Sequence, residues 1–182
     1  MKASKQKKCR VCGAKFSPMN SLAKVCSLDC SVKYAKKEVE KRERNKIRVR
    51  KDLLKSRGDW LREAQTEFNK FIRFRDYDQP CISCDKPNTG QHQRHASHFR
   101  SVGGNPELRF NELNVWASCA QCNGVMSGNL LEYRIRLVKK IGADKVAWLE
   151  GPHEPQKLSI EDIKLIKKEY AAKARELQKA RQ

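Results

Sequence analysis

The chain has 182 residues and a formal net charge of +19, from 40 Lys and Arg against 21 Asp and Glu. Only 38% of the residues are hydrophobic and the mean hydropathy is -0.81, which argues against one large core and favours small metal-bound modules joined by helices. No segment approaches the roughly 18 apolar residues of a spanning helix, and no apolar signal segment follows Met1, so we expect a cytoplasmic protein that does not enter a membrane.

The charge predicts a polyanionic partner, with nucleic acid as the first candidate, because phosphates that are neutralised by a protein release condensed counterions. The positive charge is unevenly distributed along the chain. Residues 1–58 carry 19 Lys and Arg against 5 Asp and Glu, which is +14 of the total +19 and leaves +5 for the rest of the chain. The N-terminal third is therefore the main electrostatic arm.

Residues 1–30 are typical of a small zinc module. They contain a Cys-x-x-Cys pair and a Cys-x-x-x-Cys pair, with Phe16 and Val25 as the only evident core residues. In a reducing compartment such cysteines are metal ligands more often than disulfides, and a segment with so small a core would be unfolded without metal. The alternative is four unpaired cysteines in a disordered basic tail. The predicted zinc ligands are Cys9, Cys12, Cys26 and Cys30.

Residues 31–57 contain no Gly or Pro and predict a long basic helix, the first part of an arm that extends to residue 78. Apolar residues are too sparse for a conventional buried stripe, so this helix should be solvated. It either orders on DNA or serves as a charged spacer. We predict DNA contacts from Lys41, Arg44 and Arg48.

A second helix is predicted after the break at residues 57–59, with Asp59 as its N-cap. Its apolar residues recur at steps of three and four, which indicates a buried face with a packing role and no ligand role. These residues are Trp60, Ala64, Phe68, Phe71 and Ile72.

Residues 79–141 hold a second four-cysteine set, the ligand set of another closed zinc site. Between its two Cys-x-x-Cys pairs we predict a strand over residues 91–100, a turn at residues 103–106 and a second strand over residues 114–117. Residues 118–123 then turn into a helix, and another helix follows over residues 130–141. The predicted ligands are Cys81, Cys84, Cys119 and Cys122.

Three of the four histidines in the chain, His92, His95 and His98, lie within this module. Histidine can act as a base near neutral pH. Phosphodiester hydrolysis needs such a base to activate water and a divalent cation to neutralise the phosphate. The cluster therefore predicts a nuclease site beside a structural zinc, and an ordinary polar role is the alternative for each histidine.

Residues 142–182 predict a helical tail. A short helix is expected over residues 144–149, and a longer one begins with Ser159 as N-cap and Asp162 at the N3 position. The apolar residues of the longer helix step by three and four, which predicts packing on another helix of the chain or pairing with a second copy. His153 lies in a Pro-flanked linker and is expected to be a surface residue.

The central module contains the motifs Cys81-x-x-Cys84, Ala96-Ser97-His98, Gly103-Gly104, Asn114 and Cys119-x-x-Cys122-Asn123, with the segments HASHFRS, LRFNELNV and CNGVMSGN. Together these motifs resemble the four-cysteine form of the HNH, or ββα-metal, endonucleases. The Asn that follows the last cysteine is similar to that of the endonuclease VII type of phage junction resolvase. Over essentially its full length, the chain resembles the lambdoid phage NinG (Rap) recombination endonucleases.

The resemblance implies an α+β fold: a zinc-stapled, treble-clef-like ββα-metal nuclease module with long flanking helices and an N-terminal four-cysteine zinc knuckle. It implies a metal-dependent endonuclease, with two structural Zn²⁺ and a catalytic Mg²⁺ or Mn²⁺, that cuts Holliday junctions and D-loops in phage recombination in the host cytoplasm. The implied partners are branched or duplex DNA, a second copy of the chain and host or phage recombination proteins.

By the same resemblance, His98 is the general base, Asn114 orients that base and ties the loop, and Asn123 binds the catalytic metal. The position before the base is commonly an acidic or His metal ligand in this family, but here it is Ser97, a poor ligand for a divalent metal.

A different group would have to take the place of Ser97 at the metal. The candidates are His95, Glu112 and a bound water, although strand alternation puts His95 on the strand face opposite His98. Phosphate contacts near the base are predicted for Arg94, Arg100 and Arg109, on their proximity in sequence alone.

Two other functions fit the same residues. A zinc-stabilised DNA- or RNA-binding adaptor without catalysis is supported by the basic N-terminal third and by Ser97. An HNH homing or restriction nuclease would cut one linear sequence, whereas a junction nuclease would follow the shape of the DNA.

Overall fold

A computed structural model of the chain describes residues 6–181. The expectation about the segment after Met1 therefore falls partly outside the described residues. The chain forms two compact units, Met1–Lys55 and Ser56–Gln182. Within residues 6–181, no helix combines the length and the apolar character needed to cross a bilayer. Helices and two small sheets make up both units, in agreement with an α+β fold.

The first unit contains a two-residue hairpin and a long helix. Strands β1 (Lys7–Lys8) and β2 (Lys15–Phe16) pair antiparallel, and helix α1 follows as Leu28–Leu53. The Ser27 side chain caps α1 by accepting a hydrogen bond from the backbone N–H of Cys30 at 3.2 Å. Because of this cap, α1 begins before the predicted start at residue 31 and includes Cys30 in its first turn.

Helix α1 is solvated, as predicted. It also ends earlier than the predicted residue 57, because Ser56 already caps the next helix. Its apolar side chains are exposed, so they add little burial energy. They are Val32, Val39, Ile47, Val49 and Leu53.

Helix α2 (Arg57–Arg75) opens the second unit. The prediction that Asp59 is its N-cap is wrong. Ser56 is the N-cap, and Asp59 occupies N3 of a capping box, where its carboxylate accepts from the Ser56 backbone N–H at 2.8 Å and from the Ser56 hydroxyl at 2.7 Å. The predicted buried face is confirmed: Trp60, Ala64, Phe68, Phe71 and Ile72 are all buried.

Helix α5 (Ile160–Lys179) packs along α2 within the same unit. Its predicted Ser159 and Asp162 capping box is present. Tyr170 of α5 lies edge-on to Phe68 of α2, with ring centroids 4.7 Å apart. The apolar face of the tail helix therefore packs on α2 within the chain, as the first of the two alternatives predicts.

A β-hairpin connects the second cysteine set to the core. Strands β3 (Arg94–His98) and β4 (Val115–Cys119) pair antiparallel, with His98 opposite Val115 and Arg94 opposite Cys119. Both strands overlap the predicted ones. β3 is shorter than the predicted strand over residues 91–100, and β4 continues past the predicted end at residue 117 to Cys119. The predicted helix after β4 is only a π-helical turn at Gln121–Val125.

Helices α3 (Leu130–Ile141) and α4 (Ala143–Glu150) complete the unit and match the predicted elements. Gly142 between them has φ of 92°, a conformation that favours glycine, and it ends α3. The two helices share a core with the hairpin and its loop. This core contains Ile82, Phe99, Leu108, Tyr133, Leu137, Val146 and Leu149.

Candidate functional site

Two four-cysteine clusters form, one in each unit. In both, every sulfur atom lies within 4.8 Å of the others. Recorded Sγ–Sγ distances are 3.6 Å for Cys12 and Cys26, 3.8 Å for Cys26 and Cys30, and 3.8 Å for Cys84 and Cys119. A tetrahedral Zn²⁺ with Zn–S bonds of about 2.3 Å has sulfur atoms about 3.8 Å apart. Both clusters are therefore able to bind zinc, as predicted.

The two clusters begin with the same backbone turn. In the first, Cys9 N–H donates to the Ala14 carbonyl at 2.8 Å and Gly13 N–H to the Cys9 carbonyl at 3.0 Å. In the second, Cys81 N–H donates to Lys86 O at 2.9 Å and Asp85 N–H to Cys81 O at 3.0 Å. The residue after each second cysteine is left-handed, with φ of 77° at Gly13 and 55° at Asp85.

Hydrogen bonds and crowding shift the pKa values of several of these thiols in opposite directions. The backbone N–H of Cys12 lowers the pKa of Cys9 to about 6. Burial opposes ionisation of Cys119, but hydrogen bonds from Cys122 outweigh it and lower the pKa of Cys119 to about 7. The neighbouring Cys12 thiol raises the pKa of Cys26 to about 12. A bound cation would compensate the crowded sulfurs, because coordination deprotonates a thiol outright.

His98 ends β3 and is half-buried. Its Nε2 lies 3.0 Å from the backbone carbonyl oxygen of Arg109, so Nε2–H donates and Nδ1 keeps its lone pair. Burial lowers the pKa of His98 below its ordinary value, the Arg109 carbonyl opposes this, and the Arg109 guanidinium adds to it. The imidazole is therefore neutral and able to accept a proton at neutral pH.

Asn114 is fully buried beside this histidine strand. Its Oδ1 accepts from Arg100 N–H at 2.8 Å, and its Nδ2 donates to the carbonyls of Arg100 at 3.0 Å and Leu108 at 3.1 Å. These bonds tie both ends of the loop between β3 and β4. The partners of Asn114 are loop backbone groups, so any effect on His98 passes through the position of the loop.

The predicted metal-binding pair does come together. Asn123 Nδ2 donates to His95 Nδ1 at 3.0 Å, which leaves Asn123 Oδ1 free to accept or to bind a cation. His95 and His98 point to opposite faces of β3, as strand alternation predicts. Among the described residues, His98 is not in the wall of the cleft that His95 and Asn123 line.

The other candidates for the missing ligand are placed differently. Ser97 is 2% exposed, and its backbone carbonyl accepts from the Tyr133 hydroxyl at 2.9 Å. The Glu112 carboxylate accepts from Lys173 Nζ at 2.9 Å and from the Tyr170 hydroxyl at 3.2 Å. Glu112 is thus engaged with α5, and it is not in the wall of the cleft among the described residues.

The arginines predicted to contact phosphate differ in their surroundings. Arg94 donates to the carbonyls of Gln79 at 2.8 Å and Lys86 at 3.3 Å, which braces the turn of the second cluster. Burial and, to a lesser extent, the charge of Arg57 lower the pKa of Arg109, and the Arg109 charge in turn acts on His98. Arg100 has a buried Nε without a hydrogen-bond partner among the described residues.

The predicted DNA contacts of the basic arm, Lys41, Arg44 and Arg48, are exposed on α1. The structure also shows polar residues that the sequence reading missed. Asn69 and Arg73 of α2 line the cleft with His95 and Asn123. The signal was available, since these two residues are four apart on a helix whose other face is apolar.

The comparison with known proteins shows the family. The family model described as "Bacteriophage Lambda NinG protein" matches residues 1–180. "Protein ninG" of Escherichia phage lambda is 38% identical over 174 residues, which cover 86% of this chain and 84% of that protein. "Protein ninG" of Salmonella phage P22 is 35% identical over 201 residues, which cover 100% of this chain and 98% of that protein. The chain belongs to the NinG family. No solved structure matches it.

Proposed function

We propose that this NinG-family chain is a divalent-metal-dependent endodeoxyribonuclease of the HNH type, which hydrolyses phosphodiesters in branched DNA during phage recombination. The main support for this proposal is the position and the lowered pKa of His98. Its imidazole is held neutral, with Nε2 fixed by the Arg109 carbonyl at 3.0 Å and Nδ1 available, at the end of a strand framed by a four-cysteine cluster. A general base needs this combination of geometry and pKa.

His98 would take a proton from water through Nδ1. The Nε2–H bond to Arg109 then becomes a bond from an imidazolium to a carbonyl, which stabilises the protonated ring. The Arg109 guanidinium adds positive charge near this ring, where a phosphate would be attracted. The loop that carries Arg109 is held in position by the three hydrogen bonds of Asn114.

A catalytic Mg²⁺ or Mn²⁺ would neutralise the scissile phosphate and stabilise the leaving oxygen. The amide oxygen of Asn123 suits either ion, because both prefer oxygen ligands. Asn123 lines the cleft with His95, on the face of β3 opposite His98, so the geometry supports the base and the metal ligand separately and does not bring them to one phosphate. His95 accepts a hydrogen bond from the same amide, which fixes the orientation of the Asn123 side chain. Water and phosphate oxygens would complete the shell, as is usual for Mg²⁺.

A second candidate function is a zinc-stabilised DNA- or RNA-binding adaptor without catalysis. The observation that favours it is the cleft wall, in which neither Asp nor Glu occurs among the described residues. Catalytic Mg²⁺ sites commonly contain one or two carboxylates. The exposed basic residues of α1 serve both functions equally, because phosphate contacts carry no sequence information.

Cleavage of a labelled four-way junction with Mg²⁺ or Mn²⁺ separates the two functions. We expect wild type to cut the junction and His98→Ala to lose at least about a hundredfold in rate, the usual contribution of a general base. His153→Ala, in which a histidine outside the cleft and the hairpin is removed, is the matched control and should cut like wild type. The zinc content of each variant reports whether it has folded.

Wild type that binds the junction without cutting any branched substrate would support the adaptor. His98→Ala that cuts as fast as wild type would remove His98 as the base. A linear duplex of the same sequence, run in parallel, tests the branched substrate, since a homing or restriction nuclease would cut that duplex as well.

A further inference from the structure

The cleft beside β3 is lined by side chains that proton transfer at His98 does not use. It has a volume of about 650 Å³, within the roughly 300–1,000 Å³ of small-ligand sites. Asn69 and Arg73 of α2 and the following Tyr77 face Arg94, His95 and Asn123 across it. A cleft of this size accepts single nucleotides, not a double helix.

The charge of the cleft is positive and uncompensated. Neither Asp nor Glu lines it among the described residues. Arg73 is exposed and has no recorded ion pair within the described part of the chain. Arg94 donates only to backbone carbonyls, which leave its charge in place. Two guanidinium groups in one concave surface attract a phosphate group.

An aromatic ring stands beside these charges. Tyr77 is 46% exposed, and the Arg181 guanidinium lies 4.3 Å from its ring centroid. A ring held in place by a guanidinium on one face remains available for stacking on the other. Exposed aromatic rings beside basic residues are the usual platform for unpaired bases.

Several polar groups that line the cleft have hydrogen-bonding capacity that no described residue uses. Gln65 Nε2 donates to Asn69 Oδ1 at 2.8 Å, which fixes the Asn69 amide and leaves its N–H₂ group to donate. The Nε2 of His95 and the Nε of Arg94 are buried and have no hydrogen-bond partner among the described residues. Buried polar groups are normally satisfied, so such groups indicate a bound partner.

We propose that this cleft binds an unpaired nucleotide of the DNA substrate, with Arg73 at its phosphate, Tyr77 stacked on its base and Asn69 donating to it. Duplex DNA keeps its bases stacked and offers none to Tyr77, so the cleft favours strands that are unpaired at a branch. The proposal rests on the proposed function for the identity of the partner as DNA. Binding in the cleft does not require cleavage.

The test is a titration of the full chain with labelled oligothymidylate of about 12 nucleotides, a length within the usual range of single-strand sites, and with a duplex of equal length. No Mg²⁺ or Mn²⁺ is added, so binding is measured apart from hydrolysis. We expect Arg73→Ala and Tyr77→Ala each to weaken oligothymidylate binding about tenfold and duplex binding much less. Arg62→Ala removes the same charge from an exposed position of α2 outside the cleft and is the matched control.

Salt dependence separates the two contacts. Arg73→Ala should flatten the slope of log K against log salt by about 0.7, the value for one phosphate contact to a single strand. Tyr77→Ala should leave that slope unchanged, because stacking releases no counterion. Thermal melting checks that the variants are folded.

Equal weakening by Arg73→Ala and Arg62→Ala would reduce the effect to net charge and overturn the proposal. So would an unchanged affinity of Tyr77→Ala for oligothymidylate. A loss confined to a parallel oligouridylate series would overturn the assignment to DNA. Junction cleavage is measured separately, so a failure of the cleft does not decide whether His98 is the base.

Discussion

Cys9–Cys12 and Cys81–Cys84 form the same turn, with the same pair of backbone hydrogen bonds, in two units of very different composition. In the first unit, the only buried residues of the described part are Cys9 and Cys30. In the second, the cluster adjoins a core of aromatic and aliphatic side chains. In the first unit, zinc binding at this turn would therefore supply most of the folding free energy, whereas in the second unit it would add to the stability of an apolar core.

Removal of zinc should have the largest effect, and it should be unequal. Structural Zn²⁺ contributes about 10–16 kcal/mol in zinc-finger peptides, and the described part of the first unit, residues 6–55, has no apolar core to replace it. With a chelator, amide hydrogen exchange should become unprotected at Cys9 and Gly13, while α2 keeps its protection. Equal loss of protection in both units would contradict the comparison.

Matched variants provide the control for the chelator. Cys12 and Cys84 are both exposed, and each is the second cysteine of its Cys-x-x-Cys pair. Cys12→Ser should unfold the hairpin of the first unit, whereas Cys84→Ser should loosen β3 and β4 and leave α2 and α5 packed. Bound zinc should fall by one ion per chain in each variant.

Truncation of an apolar side chain should destabilise the second unit more than the first, the reverse of the effect of zinc removal. Phe68 of α2 is fully buried against Phe110 and Tyr170, so Phe68→Ala should lower the free energy of unfolding by about 3–5 kcal/mol. Leu53 of α1 is 79% exposed, and Leu53→Ala should change it by less than about 0.5 kcal/mol. Urea denaturation measures both. A Leu53→Ala effect as large as that of Phe68→Ala would mean that α1 has a buried face.

The smallest effect is the pH dependence that His98 contributes to the stability of the second unit. Burial lowers the pKa of His98 in the folded chain, so the unfolded chain binds a proton first as pH falls below about 6.5. The free energy of unfolding should therefore be highest above that pH and decrease as pH falls toward the folded pKa. Urea denaturation at a series of pH values measures this decrease, and His98→Gln should flatten it. Replacement of the exposed His92 should leave it unchanged.

Much of the fold could be predicted from sequence because local patterns determine it. The five buried residues of α2 follow helical spacing, and the Ser159 and Asp162 capping box is a short motif. The error at Asp59 arose within such a motif, since Ser56 and Asp59 form the same kind of box and either residue alone is an acceptable cap. The reduced helix after β4 was not predictable, because its length depends on packing.

The candidate site was predictable only in part. The resemblance proposed roles for His98, Asn114 and Asn123, and strand alternation predicted that His95 and His98 point to opposite faces of β3. The hydrogen bond between Asn123 and His95 required the structure, since those residues meet only through the register of β3 and β4 and the turn that follows. The pairing of Glu112 with Lys173 depends in the same way on the packing of α5.

Residue spacing alone is enough to predict the two four-cysteine sets, the buried face of α2 and the alternation of side chains along β3. These depend on residue spacing and on the fixed geometry of helices, strands and metal ligands. The contacts between polar groups follow instead from the tertiary packing. Asn114 bonds to the loop backbone, His98 bonds to the Arg109 carbonyl, and Arg73 and Asn69 line the cleft. Such contacts join residues that are distant in the chain, and their distances follow from how whole elements pack.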